Sequence, residues 1–373
     1  VARPRFKILL SLLAAALIIL SLAILLDQFL YARPDLAEVY SRYIFPWLTT
    51  PWLIILGRIP FSFSELFVVG SFIAIIALLV VGLRKLITVS EWRLLRFLRS
   101  LIIVIIVLSL LVTNIIFFYR LNFNRYSLAD SLDLELKPRA KGELVALANW
   151  LAEEAAQIRE QLPEDEKGVL TLTGGYRQIL AEAYLGYDSA SQEYPLLATG
   201  LAVKPKPMLL SSLWSYTGII GMYMPLFVEA NINIDQPAHN IPFTALHEIA
   251  HTKGFAREED VNFAAFLAGL YHPDPVFRYS ALVSAWRYVS NRVYGEDPDL
   301  YARLIILSPG MRRDIEAQTL YWRKYEGKVE RISTRINDAL LQANRQEDGV
   351  KSYGRMVDLV LAWFDKEQIK LLR

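Results

Sequence analysis

The chain has no cysteine and only four histidines among 373 residues. The first absence excludes disulfides, thiolate metal ligands and cysteine nucleophiles. The second gives weight to a pair, because His247 and His251 stand four residues apart. An excess of charge is missing too, since the formal net charge is +2 and creates no large field. Basic residues late in the chain alternate with acids, as in Arg323, Lys324, Glu326, Lys328, Glu330 and Arg331, the pattern of solvated helix faces. No nucleic-acid footprint results, and no repeat or low-complexity tract is present.

Apolar residues are abundant. They make up 54% of the chain, with a mean hydropathy of +0.29, and the excess lies before residue 120. Apolar runs at 8–26, 66–83 and 98–119 each approach the about 20 residues that a bilayer-spanning helix needs. Residues 1–120 are thus expected to form a three-span membrane region, with the lipid bilayer as the first partner. The first run is long for a signal peptide, and no small-residue cleavage site follows Leu26-Asp27-Gln28-Phe29, so it is expected to be a retained anchor. Between the first two runs, residues 46–60 carry Pro46, Pro51 and Pro60 around Trp47 and Trp52, which predicts an interfacial or re-entrant segment. Arg3, Arg5 and Lys7 precede the first run, and Arg84, Lys85, Arg93, Arg96 and Arg99 link the second and third. The positive-inside rule then places the N-terminus in the cytoplasm and residues 121–373 outside the cell membrane.

Within that second domain, His247-Glu248-Ile249-Ala250-His251 has the spacing by which one helix face offers two imidazoles to a single Zn2+ ion. Glu248 is then set to act as general base on a water at the open coordination position. Pro242 suits a first helical turn, with Asn240 as a possible cap. Gly254 can end the helix in the left-handed conformation, with Phe255 as the apolar contact beyond it. The chain can therefore return to the metal through Glu258, Glu259 and Asp260, at the start of a second helix. Glu258 is the favoured third ligand because Asn262, four residues on, shares its face and can support a ligand by hydrogen bonding, with Glu259 next in order. Acids in a first helical turn also simply complement the helix dipole.

The stretches IPFTALHEIAHTKGFAREEDVNFAAFLAGL, GMYMPLFVEANINI and DGVKSYGRMVDLVLAW resemble bacterial membrane proteins grouped as domain-of-unknown-function family 3810, and the resemblance covers nearly the whole chain. More distantly, His247, Glu248, His251 and an acid followed by Asn262 look like the gluzincin metallopeptidases, in which a glutamate is the third ligand. Two departures are visible. Only six residues separate His251 from Glu258, fewer than in many gluzincins, and the place where metzincins carry a third histidine is occupied by Arg257. The resemblance implies a mainly α membrane protein ending in a mostly helical, zincin-like α+β domain with a small sheet before the metal helix. It also implies that residues 221–233, including Tyr223, Glu229 and Asn231, form an edge that pairs with a peptide or protein substrate.

Hydrophobic periodicity predicts helices over 143–161, 176–187, 275–293, 299–307, 312–344 and 353–372. Before the motif, Leu226, Val228, Ala230, Ile232 and Ile234 alternate with Phe227, Glu229, Asn231 and Asn233, as in a strand. The plain alternative is a hairpin with Glu229 and Asn231 in solvent. His239 and Tyr353 are the candidate further donors to a developing oxyanion, whereas His272 beside Pro273 is a helix terminator. The expected activity is a membrane-anchored zinc metallopeptidase of the HExxH type. The alternatives are a non-catalytic zinc-binding or peptide- or cell-envelope-binding module, and a structural membrane protein in which the motif is incidental. An intramembrane protease fits less well, because Lys253 and Arg257 are too polar for bilayer depth.

Overall fold

A computed structural model describes residues 2–88, 93–304 and 307–371. The chain is mostly helical, with one three-stranded sheet. Among the described residues, three helices are long and apolar enough to cross a membrane, at Phe6–Tyr31, Phe63–Gly82 and Leu94–Asn124, the last an α-helix to Phe118 that runs on through a 3-10 turn, Arg120–Asn124. The expected runs lie inside them. The side chains of Arg3, Arg5, Lys85 and Arg93, on which the expected orientation partly rests, lie outside the described residues, as do residues 305, 306 and 372 of two expected helices.

The first and third apolar helices pack along each other. Ala16, Ala23 and Leu30 on one and Ile102, Ser109 and Ile116 on the other are buried at seven-residue intervals, and the small residues among them let the backbones approach. The second apolar helix is exposed along most of its length and is held at its start, where Ser62, Ser64 and Glu65 are buried. The proline- and tryptophan-containing segment forms a helix, Phe45–Leu56, with Pro46 in its first turn and Trp47 exposed. Its 12 residues are too few to cross a bilayer.

The ends of the apolar helices are bound to the rest of the chain by buried polar contacts rather than by a loose tether. Asp27 pairs with Arg120 and with Arg345, each at 2.9 Å. Glu38 pairs with Arg125 at 2.8 Å. The Glu65 carboxylate accepts from the backbone N–H of Leu209 and Leu210 and from the Trp214 indole. Tyr31, Phe63 and Phe118 mark the ends of the three helices that face this domain, so all three meet it on one side of the membrane region.

In the domain core lie the motif helix, Ile241–Thr252, and the return helix, Glu258–Leu270, packed on each other and on the long helix Pro275–Glu296. The motif helix starts with Pro242 in its first turn, as expected, but the Asn240 side chain makes no cap; a 3-10 turn, Ala238–Asn240, leads straight into it. Gly254 has φ +81°, and Phe255 N–H donates to Ala250 O at 3.2 Å, closing the turn between the two helices.

The sheet has the order β1-β3-β2, with β1 Lys206–Pro207, β2 Gly221–Met224 and β3 Glu229–Ile232. β3 pairs parallel with β1 and antiparallel with β2, Tyr223 facing Ala230. The strand is shorter than its alternation predicts because Val228 turns into the left-handed region, at φ +52°. Its polar side is not in solvent either, since Glu229, Asn231 and Asn233 are all buried. Further on, the single helix expected over 312–344 is two, Pro309–Arg323 and Lys328–Ala343, separated at Gly327 where the backbone is fully extended.

Candidate metal centre

The motif helix carries His247 and His251 on one face, and the Gly254 turn brings the first residue of the return helix against them. The ligand atoms of His247, His251 and Glu258 lie within 4.8 Å of one another. Glu258 Oε2 is 3.4 Å from His247 Nε2 and 3.9 Å from His251 Nε2. Those separations are longer than ordinary hydrogen bonds, and the Glu258 oxygen, though buried, accepts none. They match ligand edges: a tetrahedral zinc ion with bonds near 2.0–2.2 Å holds its ligands about 3.4 Å apart.

The other ring nitrogens are committed. His247 Nδ1 pairs with Asn262 Oδ1 at 2.8 Å, and His251 Nδ1 with Phe255 O at 3.0 Å. Both partners are acceptors, so each Nδ1 carries a proton, and Nε2 is left as the nitrogen of each ring that faces Glu258 and can take a metal ion. Asn262 therefore supports His247 rather than the carboxylate, and its amide nitrogen donates in turn to Tyr353 O at 3.3 Å. The residues present fit a zinc ion, with two neutral imidazoles and one carboxylate as donors and a buried oxygen left without a partner.

Of the other acids in the return helix, Asp260 accepts from Leu128 N–H and pairs with Arg257, while Glu259 lies 3.6 Å from Arg355. Neither joins the histidines. Arg257 is fixed by Asp260 and by Arg125 O.

Glu248 projects beside the cluster. It is buried, its Oε2 has no hydrogen-bond partner, and burial pushes its carboxyl up to about 8, with His247 opposing and Glu258 reinforcing. Burial likewise pulls His251 down to about 4, against the Glu258 carboxylate. For Glu258, burial is outweighed by His251 and His247, and its carboxyl is held below the usual range. Gly221, on the edge strand β2, makes room for Glu248: a Cβ there would lie 2.4 Å from Oε1.

Three tyrosines wall the site. The Tyr223 ring stacks on His251, with centroids 5.5 Å apart, and its hydroxyl donates to Phe118 O at 3.0 Å. Tyr353 stacks on His247 at 6.2 Å. Tyr119, unexpected from the sequence, donates to Glu258 Oε1 at 3.5 Å from the position just after Phe118, where the α-helical part of the third apolar span ends. The turn after the motif is gripped from the same side, where Gly254 faces Ser41, Phe45 and Asn122 and its carbonyl accepts from Arg125. The only sequence signal for Tyr119 was an aromatic residue at the end of an apolar run.

The other expected site residues lie elsewhere. Glu229 accepts from Ser64 N–H and Oγ and pairs with Lys206 at 2.7 Å, and Asn231 donates to Met222 O and Glu229 O. Both belong to the central strand, so their side chains pin the sheet rather than line its open edge. His239 is buried with Nε2 3.0 Å from Gln318 Oε1, and burial lowers its pKa to about 4. His272 caps the end of its helix region through Asp274 N–H and Glu182 O.

The His239 shift has a measurable consequence. The unfolded chain takes up a proton near the ordinary value of 6.5 that the folded one resists down to about 4. Stability is therefore lost as pH falls through that window, with a slope of about 1.4 kcal/mol per pH unit from this one group. In denaturant titrations between pH 6.5 and pH 4, a His239→Gln variant is expected to lose that share of the slope; an unchanged slope would contradict the assignment.

Among the described residues, three helices suited to a bilayer, joined to a mostly helical domain with a buried two-histidine, one-glutamate cluster, define the kind of protein this is. Residues 40–361 match the family described as protein of unknown function (DUF3810), and the chain belongs to that family. No curated protein and no solved structure matches it.

Proposed function

We propose that this protein is a membrane-anchored zinc-dependent hydrolase, a metallopeptidase with a zincin-like site, whose domain stands outside the cell membrane with the N-terminus in the cytoplasm. The observation that carries this reading is the convergence of two Nε2 atoms on a buried Glu258 oxygen that no hydrogen bond satisfies, with Glu248 beside them. His247, His251 and Glu258 would hold the ion. Zinc bound there supplies Lewis acidity, which polarises a carbonyl and lowers the pKa of a water.

The remaining work falls to the chain's own groups. Glu248 takes the proton of the attacking water on its carboxylate and passes it to the leaving amine, a transfer suited to a carboxyl kept out of solvent. Asn262 and the Phe255 carbonyl hold the imidazoles in the tautomer that presents Nε2. Strand β2, at the sheet edge with Gly221 against Glu248, offers backbone N–H and C=O groups to an extended peptide. Tyr353 and Tyr223 flank the histidines and shape the approach. Because Tyr119 and Phe118 at the end of an apolar helix form part of the wall, the natural substrate is a chain segment close to the membrane face.

Burial favours a second reading. His247 is the most open of the three cluster residues, with its side chain only 13% exposed, which also suits a module that holds zinc or a peptide without cleaving it. A Glu248→Gln variant assayed for metal and for cleavage of a peptide library separates the two.

Gly221→Ala offers a subtler probe. The added methyl would meet Glu248 Oε1 and Thr244, so the carboxylate must move while the cluster stays intact. The variant is expected to keep its metal, lose most hydrolysis and unfold with a stability lower by about 1–3 kcal/mol. Full activity with an unshifted melting curve would show that Glu248 is not confined there.

A further inference from the structure

Lys328–Ala343 is exposed along most of its length, and part of that exposure is apolar. Val329, Ile332, Ile336 and Leu340 are 55%, 57%, 57% and 58% exposed. Their spacing places them on one helix face. The opposite side meets the protein, where Leu341 is buried and Asp338 Oδ1 accepts from Val350 N–H at 2.9 Å. The apolar stripe therefore points away from the body. Lys328, Arg331 and Arg335 are exposed along one flank of it.

Both ends of this helix are fixed near the ends of the apolar helices. At its C-terminus, Ala343 O accepts from Arg120, two residues after Phe118 near the end of the third apolar span, and Arg345 pairs with Asp27 while its guanidinium lies 4.1 Å from the Tyr31 ring. Just before its N-terminus, Tyr325 packs edge-on against Tyr216 at 4.9 Å, and Glu330 lies beside Gly218. That neighbouring segment is the one tied to Glu65 in the first turn of the second apolar helix, and it exposes Leu209, Leu213, Tyr216 and Ile220.

We infer that Lys328–Ala343 is a membrane-surface helix, lying in the headgroup region of the bilayer its own chain crosses, with Val329, Ile332, Ile336 and Leu340 in the acyl boundary. The occupant of the stripe is lipid, because the helix is continuous at both ends with the segments that enter the membrane and its basic flank suits anionic headgroups. Leu209, Leu213, Tyr216 and Ile220 extend the same belt. The helix also reaches the metal centre indirectly. Asp338 holds the turn Gly349–Arg355, whose Tyr353 stacks on His247, so seating the helix in lipid steadies one wall of the site. This inference stands whether or not the site hydrolyses anything.

The absence of cysteine makes the test clean. The full chain is reconstituted in nanodiscs of phosphatidylcholine and phosphatidylglycerol, with an environment-sensitive fluorophore on Ile336→Cys or, as control, on Thr334→Cys, which is exposed and lies off the apolar stripe. At Ile336 the label is expected to be quenched severalfold more by a lipid bearing a shallow nitroxide, and severalfold less by an aqueous nickel chelate, than at Thr334. Equal access to the aqueous quencher at both positions would overturn the inference. So would a label at Ile336 shielded from both quenchers, which would place a second copy of the chain on the stripe.

Discussion

Replacing Glu248 by glutamine is expected to cut hydrolysis by about 10²–10⁴-fold while leaving the bound metal in place, the range for loss of a general acid–base group. Glutamine keeps the shape of a side chain that is pressed against Gly221, so folding should survive. It cannot accept and return a proton. Glu248 stands outside the triad that would hold the ion, which is why metal and activity should part company in this variant. The loss should appear in kcat, with KM little changed, because the carboxylate does its work as the proton moves rather than as the peptide binds. A glutamine variant that turns over at the wild-type rate would remove Glu248 from the mechanism.

The second large effect is expected from Glu258→Ala. In the folded chain Glu258 is the carboxylate that faces both Nε2 atoms, so its removal leaves two neutral ligands where zinc sites use three protein donors or more. Competition against a chromophoric chelator should show the high-affinity site lost. Asn262→Ala should give a graded version, weakening the metal by about 10–100-fold, the usual cost of removing a hydrogen bond that orients a ligating histidine. Chelation of the wild type should also lower its melting temperature, because metal that binds only the folded state stabilises it. Wild-type metal affinity in Glu258→Ala would move the third ligand elsewhere, and Glu259 and Asp260 are already engaged with Arg355, Arg257 and Leu128.

What the sequence made legible was local. A run of apolar residues is a span by length and hydropathy, a four-residue spacing puts His247 and His251 on one face, and Gly254 announces a left-handed turn. Asn262 was legible as support for the cluster because it shares a helix face with Glu258, although its partner is His247. The rest depended on contacts between distant parts of the chain. Tyr119 reaches Glu258 only because the end of an apolar helix docks beside the motif. Alternation in 226–234 marked two faces but could not tell a solvated polar face from a buried one, and Glu229 is buried against Ser64 and Lys206, both remote in sequence. The charged stretch after Arg323 looked like an ordinary solvated helix face. Its break at Gly327 re-phases the second half and brings Val329, Ile332, Ile336 and Leu340 into one exposed stripe.

The claim on which the rest stands is that His247, His251 and Glu258 hold one metal ion. The most direct measurement is elemental analysis of the purified protein together with X-ray absorption at the zinc edge. One equivalent of zinc is expected, with two imidazole nitrogens and carboxylate oxygen in its shell and no sulfur, and with the signal lost in His247→Ala. A wild-type chain that folds without stoichiometric metal, and that acquires none when zinc is supplied, would contradict it.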